Sequence, residues 1–239
     1  IKPDGKGKPE RVTPTTLEGT HNYDISPGGK FAQHSFTNTY TQPVTELISL
    51  SKHSPLTEKG SIASNLAKAQ EEKVTEFFKV KTEDGVEMDG WMVKPRNFDA
   101  NKKYPVVFFV YTEPWAQNVT GTYGSSKNFL YAGDMRDDGY IYISLDNRGT
   151  PAPKGAAWRK SIYQKIGIIN IRDQAMGAKE ISKWPFVDAD RIAVWGWSGG
   201  ASATLNLMFQ YPDIYTTGIA VAAVANQLTY DNVYQERYM

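Results

Sequence analysis

The chain has 239 residues, with 27 Lys and Arg against 26 Asp and Glu, a net charge of +1. So even a balance excludes a basic surface built to neutralise phosphates, and no nucleic-acid partner is expected; a composition 13% aromatic and 40% hydrophobic excludes an acidic, solvating chain. With no cysteine, disulfides, thiolate metal sites, iron–sulfur clusters and thiol nucleophiles are excluded too.

Residues 1–55 read as β. Stretches 19–25, 31–37 and 44–51 have strand composition, and Ser26-Pro27-Gly28-Gly29 supplies a turn between the first two. A meander this short cannot bury both faces alone, so it reads as one unit of something larger. Residues 56–73 read as a linker with a connecting helix at 61–72, where helix formers follow polar N-cap candidates. From residue 74 strands and helices alternate. Strands at 74–82 and 86–94 flank the hairpin signal Glu83-Asp84-Gly85. The apolar run 104–111 reads as a buried strand. A helix is expected at 127–137, a strand at 140–145, a helix at 171–183, a strand at 191–195, a helix at 201–210 and a last strand at 217–225. An antiparallel hairpin followed by this alternation predicts an α/β domain over 74–239, its sheet largely parallel and covered on both faces. The longest apolar runs, 106–111 and 219–225, are far short of the ~20 residues of a membrane helix, so no membrane segment is expected in this chain.

The chemistry is concentrated in one segment. Gly196-Trp197-Ser198-Gly199-Gly200 has the Gly-x-Ser-x-Gly pattern, with an apolar strand before it and a small-residue helix start after it. A strand that turns sharply into a helix lifts one serine Oγ above the sheet, in a strained backbone conformation. The residues two before and two after must be small, and the helix N-terminus supplies free N–H groups near a developing oxyanion. Ser198 is therefore the expected nucleophile. It needs a base, normally His, oriented by a carboxylate, and in this fold the chain order is Ser, then Asp or Glu, then His. The only histidines are His21, His34 and His53, all before Ser198 and read as surface or strand-face residues. The expectation is that the chain is cut at both ends, with the base and carboxylate beyond residue 239, and that this piece alone is inactive or nearly so.

At these residues the sequence resembles the dipeptidyl peptidase IV branch of the prolyl oligopeptidase family of serine peptidases. Four stretches carry the match: the elbow 196–200, the loop Asp146-Asn147-Arg148-Gly149-Thr150, the approach to the elbow strand at 186–192, and Tyr-Asp-Asn-Val-Tyr-Gln-Glu-Arg-Tyr-Met at 230–239. The likeness spans 75–239, and 24–51 resembles a last propeller blade. It implies an α/β-hydrolase fold, its C-terminal part missing, preceded by the end of a β-propeller. It also implies a peptidase that releases N-terminal dipeptides, of X-Pro or X-Ala type, by acyl-enzyme hydrolysis. Acylaminoacyl peptidase, prolyl endopeptidase or esterase activity on the same fold is the alternative, and a non-catalytic binding module is the reading of another class.

Residue by residue, the resemblance makes Ser198 the nucleophile and gives the oxyanion hole two donors, the Gly199 backbone N–H and the Tyr111 hydroxyl. Tyr230 and Tyr234 would be aromatic walls of a pocket for a proline-like ring, on one helical face by their spacing of four, with Val224 a third wall. It implies a peptide substrate, no metal and no cofactor. A homodimer of the full-length protein and a periplasmic or extracellular location are also implied. The chain departs from the family at Thr112 and Glu113, where small residues are usual, at Gly199, where the branch often has tyrosine, and at Gln227, where an aromatic is common.

Other features have plainer readings. Asp146 and Arg148 read as parts of a turn after a strand, with Gly149 allowing positive φ. Asn118-Val119-Thr120 reads as a chance sequon. Asp173, Glu180 and the basic residues at 158–165 read as solvated faces. Asp231, Glu236 and Arg237 are candidates for an ion-pair network.

Overall fold

The computed structural model describes residues 6–8 and 11–238, so Met239, the end of the tyrosine-rich run, lies outside them. The chain divides into two compact units, one of residues 1–73 with 121–125 and one of 74–120 with 126–239.

The first unit is a four-stranded antiparallel meander, the form a propeller blade takes. Its strands are β1 (Thr20–Ile25), β2 (Phe31–Asn38), β3 (Thr41–Ser49) and β4 (Ser54–Pro55), side by side in chain order. Alternation along β2 buries Ala32, His34, Phe36 and Asn38 on one face. A buried His must be hydrogen-bonded, and His34 is bonded at both ring nitrogens: Nδ1 to Glu46 Oε1 at 2.9 Å and Nε2 to His21 Nδ1 at 2.8 Å. His21 Nε2 meets the Leu17 carbonyl at 2.9 Å, and His53 Nε2 meets the Tyr23 hydroxyl at 2.7 Å. All three histidines are thus tied into this sheet. Helix α1 (Ile62–Ala69) belongs to the same unit. Ser61 caps it by accepting from Ser64 N, Ile62 is buried, and Ile62 N donates to Glu46 Oε2.

The second unit is built on a six-stranded sheet of β5 (Thr75–Lys81), β6 (Glu87–Val93), β7 (Tyr104–Phe109), β8 (Ile141–Leu145), β9 (Val187–Trp197) and β10 (Thr217–Val221). Their order is β10-β9-β7-β8-β6-β5. The β5–β6 and β6–β8 pairs are antiparallel, and β8, β7, β9 and β10 run parallel. This is the α/β-hydrolase arrangement expected: an antiparallel hairpin first, a parallel sheet after it. Every residue of β8 is buried, as a strand covered on both faces requires. Helices α2 (Gly155–Lys160), α3 (Ile169–Ile181), α4 (Gly199–Gln210) and α5 (Asn232–Tyr238) and a 3₁₀ turn at Gln227–Thr229 complete the unit. One core joins Val106, Phe108, Ile143 and Val194 of the sheet to Ala175 and Ala178 of α3 and Leu207 of α4. A second, smaller core around Trp91, Tyr142 and Trp195 covers the other side.

Three expectations fail locally. Residues 127–137 form turns, not a helix. Asn128 Oδ1 accepts from Leu130 N at 3.0 Å and Asp134 Oδ1 from Arg136 N at 2.9 Å, so side chains take N–H groups that a helix would have used. The last strand stops at Val221, because Ala222 turns to φ 55°. Helix α2 is not among the expected elements, and its second half overlaps the basic stretch 158–165 that reads as a solvated face. Among the described residues no helix is long and apolar enough to cross a membrane.

Candidate active site

The site lies where the parallel strands end. β9 runs into Ser198, and α4 starts at the next residue. Ser198 has φ 55° and ψ −118°, the strained conformation that aims a side chain away from both elements. The neighbours dictate its glycines. A Cβ on Gly196 would collide with the backbone of Gly200, and one on Gly200 with the Val110 carbonyl oxygen at the end of β7. Ser198 N donates to Val221 O at 2.9 Å, while its carbonyl accepts from Ala201 N and Ser202 N. Gly199 is the first residue of α4, so its N–H has no partner within the helix and stays available where the dipole is positive.

Tyr111 lies two residues past β7, and Val110 between them ties this end of the strand to β9 by donating its N–H to Trp195 O at 3.0 Å. Its Cα lies 3.1 Å from where a Cβ on Gly200 would be, so it stands beside the elbow, half-buried, and burial raises its hydroxyl above the ordinary value. The turn after it needs φ 66° at Thr112, a conformation glycine would take at no steric cost. Here it is held by hydrogen bonds instead. Thr112 Oγ1 accepts from Asn170 Nδ2 at 3.1 Å, the Thr112 carbonyl from Asn147 Nδ2 at 3.4 Å, and Asn147 Oδ1 from Gln174 Nε2 at 3.1 Å. Asn170 and Gln174 sit one turn apart on the buried side of α3. Sequence reasoning missed both, although polar residues four apart beside the apolar stripe of a helix are a signal that could have found them.

Glu113 completes this turn. It is 5% exposed, and its Oε2 accepts from the Tyr234 hydroxyl at 3.0 Å. Its other oxygen lies against Gly199, and a Cβ there would collide with it. Burial pushes the carboxyl up to about 7. Burial, with the nearby carboxyl second, also pushes the Tyr234 hydroxyl up.

Val224 is positioned by Ser202 of α4, whose Oγ accepts from Val224 N and donates to Val224 O, both at 3.0 Å. Tyr230 and Tyr234 meet edge to face at 5.2 Å, but not on one helical face. Tyr230 ends the 3₁₀ turn, and Asp231 Oδ1 caps α5 by accepting from Tyr234 N at 2.8 Å, so the helix starts after Tyr230. Asp231 thus serves as a cap. Among the described residues no ion pair joins it to Glu236 or Arg237; the Arg237 guanidinium lies over the Tyr238 ring.

Ser198, Gly199, Val224, Tyr230 and Tyr234 therefore converge on one cavity, with Glu113, Trp115, Ser202 and Gln227 as its other walls. Its volume is only about 30 Å³. Tyr111 is not among those walls. A second cavity of about 170 Å³ adjoins it, with Glu113, Gly199, Ser202, Gln227 and Tyr234 in common and Thr112, Asn170 and Asn206 on its far side. Larger cavities of about 520 and 540 Å³ elsewhere in the unit do not contain Ser198.

The charged residues behind the site are structural. Asp146 accepts from the backbone N–H groups of Asn118 and Val119 at 2.9 and 3.3 Å, and burial pushes its carboxyl up to about 6. Arg148 pairs with Asp173 rather than with Asp146. Asp173, expected on a solvated face, is 1% exposed, because it is on the side of α3 that meets the loop after β8.

The chain has known relatives. Residues 125–239 match the prolyl oligopeptidase family. Over 184 residues, 75% of this chain, the sequence is 35% identical to a dipeptidyl peptidase 4 of Trichophyton equinum, of which it covers 24%. It is 30% identical over 243 residues, all of this chain, to a probable dipeptidyl-aminopeptidase B of Fusarium vanettenii, covering 26% of that protein. The crystal structure of Porphyromonas gingivalis dipeptidyl peptidase 4 superposes with a TM-score of 0.79 and 32% identity, over 92% of this chain and 31% of that one. The chain thus spans about a quarter of the length of the curated relatives it matches.

Proposed function

Because the chain belongs to the dipeptidyl peptidase IV branch of the prolyl oligopeptidase family, we propose that it is the nucleophile-bearing part of a serine peptidase that removes X-Pro or X-Ala dipeptides from peptide N-termini. Ser198 Oγ attacks the scissile carbonyl carbon and forms a tetrahedral oxyanion. The Gly199 N–H and the Tyr111 hydroxyl stabilise that charge, each contributing about 3 kcal/mol. Collapse expels the amine of the shortened peptide and leaves the dipeptide as an ester on Ser198, which water then hydrolyses. Tyr230, Tyr234 and Val224 hold the residue before the cut. No histidine follows His53, so the base that takes the Ser198 proton, with the carboxylate orienting it, is assigned to sequence outside this chain.

The observation that supports this best is the elbow itself. A serine at φ 55° stands between a helix-terminal N–H and a pocket that contains two tyrosines. The test is Ser198→Ala in the intact protein, assayed on X-Pro and X-Ala nitroanilides. Turnover is expected to fall at least ~10⁴-fold; undiminished turnover sinks the assignment.

A further inference from the structure

One feature of the pocket is unused by this chemistry: a buried carboxyl beside the nucleophile. Glu113 packs onto the Cα of Gly199, with its Cδ 2.6 Å from where a Cβ would stand, so its side chain occupies room that any larger residue at 199 would need. Oε2 is engaged by the Tyr234 hydroxyl, which fixes the carboxyl in place. The same side chain and Tyr234 are common walls of the 30 Å³ cavity that holds Ser198 and the 170 Å³ cavity behind it. Glu113 is thus a partition. In front of it there is room for about two water-sized positions, since one occupies roughly 10–15 Å³ of such volume. A methyl or hydroxymethyl side chain fits there, whereas a proline ring brings three methylenes. Behind it lies space several times larger.

We propose, building on the peptidase reading above, that Glu113 is a specificity-determining residue that closes the back of the pocket next to Ser198, so that the enzyme prefers a small residue, alanine or serine, before the scissile bond over proline. Shape and chemistry act in the same direction. A ring pushed against the carboxyl strips its oxygen of water and returns no hydrogen bond, whereas a serine hydroxyl can donate one. With the Glu113 side chain removed, the two cavities become continuous through their shared walls and a ring is admitted.

The test compares kcat/KM of the intact protein on matched X-Ala, X-Ser and X-Pro nitroanilides. The wild type is expected to favour alanine and serine over proline by about tenfold or more, a selectivity that one methylene in a tight pocket can supply. Glu113→Ala is expected to move the Pro:Ala ratio at least about tenfold toward proline. Glu113→Gln keeps the shape and is expected to keep the wild-type preference for alanine over proline. Should Glu113→Ala fail to fold, Glu113→Asp, shorter by one methylene, is expected to shift the ratio in the same direction. A wild type that prefers proline overturns the proposal, as does a folded, active Glu113→Ala whose ratio is unchanged; both leave the peptidase reading standing. A wild type inert on all three dipeptide substrates overturns the peptidase reading and the partition with it.

Discussion

Arg148 and Asp173 form a two-pronged ion pair that anchors the loop after β8 to α3. Arg148 Nε donates to Oδ2 at 2.9 Å and Nη2 to Oδ1 at 2.6 Å, and the Arg148 backbone N–H donates to Oδ2 at 2.9 Å. Asn147, the residue before, reaches the Thr112 carbonyl, so this pair indirectly steadies the turn that carries Tyr111 and Glu113.

Breaking one side of a buried pair leaves the other charge uncompensated. Asp173 is buried but the Arg148 side chain is 25% exposed, so part of the remaining charge stays solvated, and Asp173→Ala is expected to destabilise the protein by about 2–3 kcal/mol, read from urea denaturation. A loss below about 1 kcal/mol would mean that solvent reaches Arg148 easily and that the pair is no more than a surface contact.

Gly199 and Glu113 should be energetically coupled. Gly199→Ala puts a Cβ into the carboxyl and is expected to destabilise by about 1–3 kcal/mol, as overpacking does. Combined with Glu113→Ala, the added cost should shrink by at least about 1 kcal/mol, since the obstacle is gone. Strictly additive single and double variants in a thermodynamic cycle would separate the two residues.

Glu113 also makes a pH signature. Burial raises its carboxyl from 4.5 to about 7 in the folded chain. Between those values the folded state binds more protons than the unfolded one, so stability falls as pH rises from about 4.5 to about 7, by up to about 3 kcal/mol, and levels off above. Glu113→Gln removes this slope; urea midpoints at pH 5 and pH 8 for both proteins measure it. The Tyr234 hydroxyl donates to the carboxyl, and Tyr111 lies within reach of its charge. Its ionisation sets negative charge beside the Gly199 N–H, so wild-type kcat/KM is expected to fall above pH 7 and that of Glu113→Gln to stay level. Profiles that coincide would show that the carboxyl does not titrate in this range.

What the sequence reveals depends on how local the cause is. The elbow is legible because its glycines are demanded by neighbours a few residues away and by one carbonyl at the end of β7. The strands of the parallel sheet are legible because each has an apolar core stretch, 106–109 in β7, 141–145 in β8 and 192–195 in β9. The segment at 127–137 misleads because its composition suits a helix, while two short side chains, Asn128 and Asp134, spend the backbone N–H groups on turns. Asp173 misleads because a charge on a helix is normally solvated, and only the approach of Arg148 from a separate loop makes burial tolerable. The position of Glu113 is set by a missing side chain 86 residues away, at Gly199, and no local pattern contains that fact.

The strand order has a consequence for synthesis. β7 pairs with β9 on one side, yet 88 residues, from 110 to 197, must be translated after β7 before that partner is complete. At ribosomal speeds of about 5–20 residues per second, the run Tyr-Pro-Val-Val-Phe-Phe has one edge without its partner for several seconds. Pairing of such separated strands is slow, and an uncovered apolar edge invites association with other nascent chains. The architecture that gathers the site at the carboxyl ends of its central strands therefore leaves a β edge open to association while the protein is being made.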